Sequence, residues 1–323
     1  MERISPTRAV TQEEVDTFWR DGVVCLRSIL PVDLVASMEA PIEDALAGTA
    51  MANLSEMADA LESGGIARLV DDSVASSGVP RGQFKAGTDH WLIQDEFKAF
   101  ALRSPLPEIV ASLLQSDEVR LYEDSVLVKE PGTQEKTGFH QDMAYFHLDG
   151  DLVCTTWVPL DVVTEEMGAV RFVVGSHLDN TKYRPSMFVS ELAIPGTEGA
   201  EVPDYDKQVG EARIISFDTA PGDLTVHHAR TIHGAGPNTS NRSRRAISLR
   251  YCGDDAVYLT RPGSPAKAHH LNVVEGAELH NDDCPIMWRR DKDFRLLIPS
   301  KGDRLWLWSE WACWFSCVVG QEK

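Results

Sequence analysis

The stretch PGDLTVHHARTIHGAGPNTSNRSRRAISLRY, residues 221–251, sets a turn, an apolar run, a glycine-rich loop and a second apolar run one after another. Pro221 and Gly222 open a turn, LTVHHARTIH has the texture of a strand, GAGPN breaks the chain, and RRAISLRY resumes as a second strand. No helical period lies between the two runs. The same pattern extends back to residue 119, where VRLYEDSVLVKEPG, LVCTTWVPLD, GAVRFVVGSH and ARIISFDTAPGD each suit a strand closed by Gly, Pro or Asp. Consecutive strands without crossover helices argue against a doubly wound parallel sheet and for an antiparallel sandwich or barrel.

Residues before this region read differently. TQEEVDTFWRDG offers Thr11 as an N-cap with Glu14 three residues on, and Val15 and Phe18 share one face. LPVDLVASMEAPIEDALAG and LPEIVASLL suit further amphipathic helices ending near Gly48 and Leu114, with a small-residue, polar loop over 62–83 between them. The expected organisation is a single domain. Residues 1–118 form a mainly helical layer, 119–255 a β core, and 256–323 a C-terminal extension.

The 50 acidic against 31 basic residues give a net charge of -19, which repels polyphosphate and anionic lipid, so neither nucleic acid nor a membrane surface is the expected partner. Six cysteines without a Cys-x-x-Cys pair suggest reduced thiols rather than a zinc ribbon or a disulfide framework. The polar first residues lack the apolar run of a signal peptide, and a cytoplasmic protein is expected. LWLWSEWACWFSCVVG, residues 305–320, is too short and too interrupted by Glu310 to span a bilayer comfortably. Its Trp308, Trp311, Phe315 and Val318 recur at helical spacing, which predicts a packed terminal helix or a homodimer contact.

Among ten histidines, four stand in a His-x-Asp pattern: His140 with Asp142, His147 with Asp149, His177 with Asp179, and His280 with Asp282. On a strand, residues i and i+2 project from one face, so such a pair sets an imidazole beside a carboxylate. Two His and one carboxylate on one face of an iron leave the opposite positions open, as in non-heme Fe(II) oxygenases. The pairs at 147, 177 and 280 lie in turn-like sequence, where Asp is better used on local backbone amides. His140 and Asp142, in TGFHQDMAYF, survive inside the β region. The third ligand is to be sought among His227, His228 and His233. His233 stands at the end of its run, beside glycines that leave room for a small ligand, whereas His227 and His228 read as satisfied core or surface histidines.

FHQD followed by YF, then Trp157, GAVRFVVGSH, PGD, and HGAGPN running on to RRAISLRY together resemble the phytanoyl-CoA dioxygenase family of Fe(II)- and 2-oxoglutarate-dependent oxygenases, in order across most of residues 11–255. The resemblance implies a mainly β protein with flanking helices, whose core is a double-stranded β-helix of the jelly-roll, cupin-like kind. It implies iron on His140, Asp142 and His233, and 2-oxoglutarate on Arg244, eleven residues beyond the last His. Arg suits that task because its planar fork pairs with a carboxylate through two parallel hydrogen bonds. Arg244 and Arg245 lie on opposite strand faces, so only one of them can face the interior. Trp157 matches a family tryptophan beside the cosubstrate and Lys85 a more distant family lysine, while Ala235 stands where many relatives carry Ser.

The implied reaction consumes 2-oxoglutarate and O2, releases succinate and CO2, and hydroxylates a C–H bond of a small-molecule substrate. Related halogenases lack the carboxylate that Asp142 provides, so its presence favours oxygenation. A rather apolar metabolite, for instance of natural-product biosynthesis, fits the acidic chain better than an acyl-CoA, although a fatty acyl-CoA 2-hydroxylase is the family's namesake. Tyr145 and Phe146 are placed to line the substrate side. A non-catalytic metal-binding β-barrel, or a zinc hydrolase using the same three ligands, would make Arg244 incidental.

Overall fold

The computed structural model describes residues 3–71, 74, 78–207, 210 and 212–290. The Trp-rich stretch 305–320, with its expected terminal helix or dimer contact, lies outside the described residues. Helices α1 (Gln12–Asp21), α2 (Val32–Ala36), α3 (Glu39–Ala47), α4 (Leu54–Ser63), α5 (His90–Ile93), α6 (Asp95–Arg103) and α7 (Leu106–Leu114) are confined to the first third. Thr11 caps α1 as its sequence predicts, with Thr11 and Glu14 each bonding the other's backbone amide.

The β core carries β4 (Glu118–Lys129), β5 (Thr137–His140), β6 (Leu148–Asp149), β7 (Val153–Pro159), β8 (Val170–Val173), β9 (Ile214–Ser216), β10 (Leu224–His228), β11 (His233–Ala235) and β12 (Arg244–Cys252). Three earlier strands, β1 (Val23–Leu26), β2 (Ala52–Asn53) and β3 (Phe84–Thr88), join them, as do β13 (Val257–Tyr258) and β14 (Ile286–Arg289) from the C-terminal side. The larger sheet runs β1-β10-β7-β12-β4-β3-β2, with β14 also on β4, and the smaller runs β5-β11-β8-β9. Every pairing is antiparallel. This two-sheet antiparallel core is the jelly-roll that the family resemblance implies, and it agrees with the antiparallel sandwich or barrel expected from the strand texture.

The larger sheet separates an apolar layer from a polar cavity. On β12, Ile247, Leu249 and Tyr251 face the helices and join Phe18, Ile42, Ile109 and Val110 in the main core. Arg244, Ser248 and Arg250 alternate with them and line the cavity. A register shift between Arg250 and Tyr251 puts an extra residue into β4 there. Parity therefore switches along β4: Val119 and Leu121 before the bulge, and Val126 and Val128 after it, all reach the helical core, while Glu123, Ser125 and Leu127 face the cavity.

The helical reading of the first third was incomplete in two respects. Residues 30–48 form two helices rather than one, because Pro41 has no amide hydrogen and its ring cannot follow the Ser37 carbonyl in a continuous helix; it is tolerated in the first turn of α3. Strands β1 and β3 escaped notice because both are short and owe their form to tertiary pairing, β1 with β10 and β3 with β4. The segment 256–290 is also more than an appendage. β14 extends the larger sheet, and Pro265–His269 supply part of the cavity wall.

Candidate active site

His140 ends β5 and His233 begins β11, and the two are direct cross-strand partners in the smaller sheet. Asp142 follows on a short 3-10 turn. The ligating atoms of these three residues lie within 4.8 Å of one another, the one such group among the described residues, and all three side chains are buried. Asp142 Oδ1 is 3.6 Å from His140 Nε2 and 3.6 Å from His233 Nε2.

Neighbouring groups fix which atoms face the shared space. His140 Nδ1 lies 2.8 Å from the Gly138 carbonyl and His233 Nδ1 3.0 Å from the Thr231 carbonyl. A carbonyl can only accept, so each Nδ1 carries the proton and each Nε2 offers its lone pair inward. Thr155 Oγ1 donates to Asp142 Oδ2, and His227 Nε2 approaches the same oxygen at 3.2 Å, leaving Oδ1 turned towards the two imidazoles. Burial alone would raise the Asp142 carboxyl, but His233, His140, His227 and Arg250 hold it well below the usual range. Burial, reinforced by the neighbouring His227 and His140, keeps His233 neutral by pushing it well below its ordinary value. The set is poised to hold a divalent cation.

The site opens into a cavity of about 250 Å³. At one end Arg244 is buried, with its guanidinium carbon 5.7 Å from the centre of the Trp157 ring. Arg244 Nε and Trp157 Nε1 are both buried donors without a hydrogen-bond partner. Burial lowers Arg244 to about 10, so it remains a cation at neutral pH. Arg245 faces the other way, paired with Asp161 at 2.8 Å and Glu43 at 3.2 Å. Behind the Arg244 end, the fully buried Lys129 donates to the carbonyls of Glu135 at 2.9 Å and Gly236 at 2.6 Å, tying the glycine-rich loop to β4. Tyr145 and Phe146 line the cavity. Tyr145 stacks on Phe188 at 5.0 Å and donates to the Ser186 carbonyl.

Two sequence expectations need correcting. Lys85 is not among the cavity-lining residues; it sits on the other face of β3 with its ammonium 3.4 Å from Glu130. His227 is no mere core histidine, because β10 pairs it directly with Thr155 and both reach Asp142. The signal for it was the alternation of Thr225 and His227, which becomes informative only once β10 is registered against β7. Its neighbour His228 does behave as a satisfied histidine, bonded to the Asp151 carbonyl. The three rejected pairs stay apart from the site. His147 bonds the Pro265 carbonyl, His177 the Trp19 carbonyl, and His280 and Asp282 are exposed at 3.7 Å from each other.

Comparison with known proteins agrees with this geometry. The chain is 30% identical over 160 residues to a probable alpha-ketoglutarate-dependent hypophosphite dioxygenase of Stutzerimonas stutzeri, covering 49% of this chain and 53% of that protein. It is 24% identical over 181 residues to the peroxisomal phytanoyl-CoA dioxygenase of Homo sapiens, covering 52% and 50%. The match thus spans about half the length of these curated relatives. Among solved structures, the non-heme alpha ketoglutarate dependent epimerase SnoN from nogalamycin biosynthesis superposes with a TM-score of 0.61 at 24% identity, over 86% of this chain and 98% of that one, which establishes the shared fold. EctD from S. alaskensis gives 0.53 at 18% identity, over 78% and 79%. Residues 18–246, most of the chain, match the phytanoyl-CoA dioxygenase family, and the protein belongs to it.

Proposed function

We propose that the protein is an Fe(II)- and 2-oxoglutarate-dependent dioxygenase that hydroxylates a C–H bond of a small, rather apolar metabolite. In the balanced reaction R–H, 2-oxoglutarate and O2 give R–OH, succinate and CO2. The observation that carries the reading is the convergence, in one cavity, of the His140, Asp142 and His233 cluster with two orphaned donors, Arg244 Nε and Trp157 Nε1. Buried donors without partners cost stability unless a ligand satisfies them, and this pair suits a carboxylate.

Iron with 2-oxoglutarate and O2 supplies the oxidising equivalent; the chain supplies position and exclusion of water. His140, Asp142 and His233 would hold the metal from one side, with Thr155 and His227 keeping Asp142 turned. Arg244 and Trp157 would take the far carboxylate of 2-oxoglutarate. Tyr145, Phe146 and Phe188 give the remaining wall an aromatic, water-poor surface. The similarity to a probable alpha-ketoglutarate-dependent dioxygenase supports the use of this cosubstrate. An acyl-CoA substrate is disfavoured, because a cavity of about 250 Å³ is at the low end for small-molecule sites and the chain carries a net charge of -19. Anaerobic protein given Fe(II) and 2-oxoglutarate, then O2, is expected to form succinate. Asp142→Ala is expected to lose it by at least ~100-fold, and absence of succinate from the parent with a broad metabolite extract present refutes the proposal.

A further inference from the structure

The end of the cavity away from Arg244 holds a second set of charges. Arg250 shares the cavity face of β12 with Arg244, six residues along, a separation of about 20 Å between backbones. β12 pairs Arg250 with Thr155 on one side and Glu123 on the other, so it stands next to the hydroxyl that turns Asp142. Asp142 and His227 both feel its charge.

The four charged side chains here are unequally satisfied. The Lys267 ammonium, carried in by the C-terminal segment, is 2.8 Å from Asp89 Oδ2 and also pairs with Glu123 Oε2. Lys267 bridges the two acids, so each already has a cation beside it. Arg250 is 9% exposed. Its Nη1 donates to Ser125 Oγ, Glu123 Oε1 is 3.5 Å from its Nε, and that Nε has no hydrogen-bond partner. A nearly buried guanidinium with an unused donor, lining a cavity, is incomplete without an acceptor.

We propose that Arg250 binds an acid group of the substrate, a carboxylate-sized oxyanion, and so fixes how the substrate is oriented beside the metal site. This rests on the dioxygenase reading and adds a substrate class to it: an apolar body ending in an acid. The two arginines divide the labour, Arg244 taking the cosubstrate's carboxylate and Arg250 the substrate's. Met51, Leu54, Leu92 and Phe146 line the same cavity and would receive the apolar body.

The test uses the full chain loaded anaerobically with Fe(II) and 2-oxoglutarate, and three matched probes: 6,6,6-trifluorohexanoate, its alcohol and its amine. Binding is read from fluorine NMR line widths, and retention of 2-oxoglutarate from its visible charge-transfer band. The acid is expected to bind at least ~10-fold more tightly than either analogue, as charge-assisted hydrogen bonds imply. Arg250→Gln is expected to erase that preference, leaving the acid bound no more tightly than the alcohol. Equal or better binding of the alcohol or amine, an acid preference that survives Arg250→Gln, or loss of the band on adding the acid to the parent would each overturn the assignment. If Arg250→Gln does not fold, Arg250→Lys decides: acid binding must weaken with alcohol binding unchanged. Failure of the dioxygenase reading looks different, since the parent then shows no band on adding 2-oxoglutarate.

Discussion

At the scale of single residues, the adjacent pair Arg244 and Arg245 shows how much a strand's alternation decides. One is buried against Trp157 with an orphaned Nε; the other forms a largely covered ion pair with Asp161 on the opposite face of the strand. Arg244→Gln is expected to raise the Kd for 2-oxoglutarate by ~10- to 100-fold, the worth of hydrogen bonds to a charged group. Arg245→Gln is expected to leave it within about two-fold, since Arg245 points to the opposite face of β12 and does not line the cavity. Titrating 2-oxoglutarate into Fe(II)-loaded protein under nitrogen checks both. The family resemblance singled out Arg244, eleven residues beyond His233, and the structure puts it on the cavity wall. His227, Thr155, Arg250 and Lys267 were illegible, because each acquires its meaning from a cross-strand neighbour or from a distant segment folding back, neither of which periodicity reveals.

Among elements, the C-terminus of α1 combines a tight turn with a crowded contact. Gly22 ends the helix at φ 79°, and a Cβ there would stand 2.4 Å from His177 Nδ1 and 2.5 Å from Thr231 Oγ1. Its carbonyl accepts from that same Thr231 hydroxyl, at 2.7 Å. Gly22→Ala should therefore cost ~2 kcal/mol or more in stability. Gly64, which ends α4 at φ -82° with nothing closer than 3.4 Å to an added Cβ, should tolerate Ala within ~0.5 kcal/mol. Chemical denaturation of the two variants separates these outcomes. Of the strands beyond residue 117, β4, β7, β8, β9, β10 and β12 were readable because turn residues punctuate them. β1, β2 and β3 were not, since two to five residues carry too little pattern to separate them from flanking helix.

For the molecule as a whole, buried neutral histidines dominate the acid limb of stability. Burial pushes His228 down to about 4 and His270 to about 2, and also lowers His90, His147 and His177 below the ordinary 6.5. As pH falls below 6.5 the unfolded chain binds protons that the folded chain refuses, so stability drops, with a slope of about 1.4 kcal/mol per pH unit for each fully responding group. Asp124 acts in the opposite sense: burial raises it to about 8, so its contribution is present at low pH and lost as pH rises towards 8. Five histidines outweigh one acid below 6.5, and from there to about pH 8 the loss at Asp124 continues. Metal-free protein is therefore expected to melt highest near pH 6.5, with Tm lower by at least ~5 °C at pH 5, as a series of thermal melts would show.

The direct pairing of His140 with His233 across β5 and β11 has a bearing on how the protein can change over time. Sheet register, and not the length of chain between them, holds the two imidazoles together. The long excursion between β8 and β9, residues 174–213, brings Phe188 to the cavity without carrying any of the three ligands. Changes within that excursion can remodel what the enzyme accepts while the register that joins the ligands is inherited. The architecture leaves substrate choice open to evolutionary experiment in a segment separate from the two strands whose pairing joins the histidines.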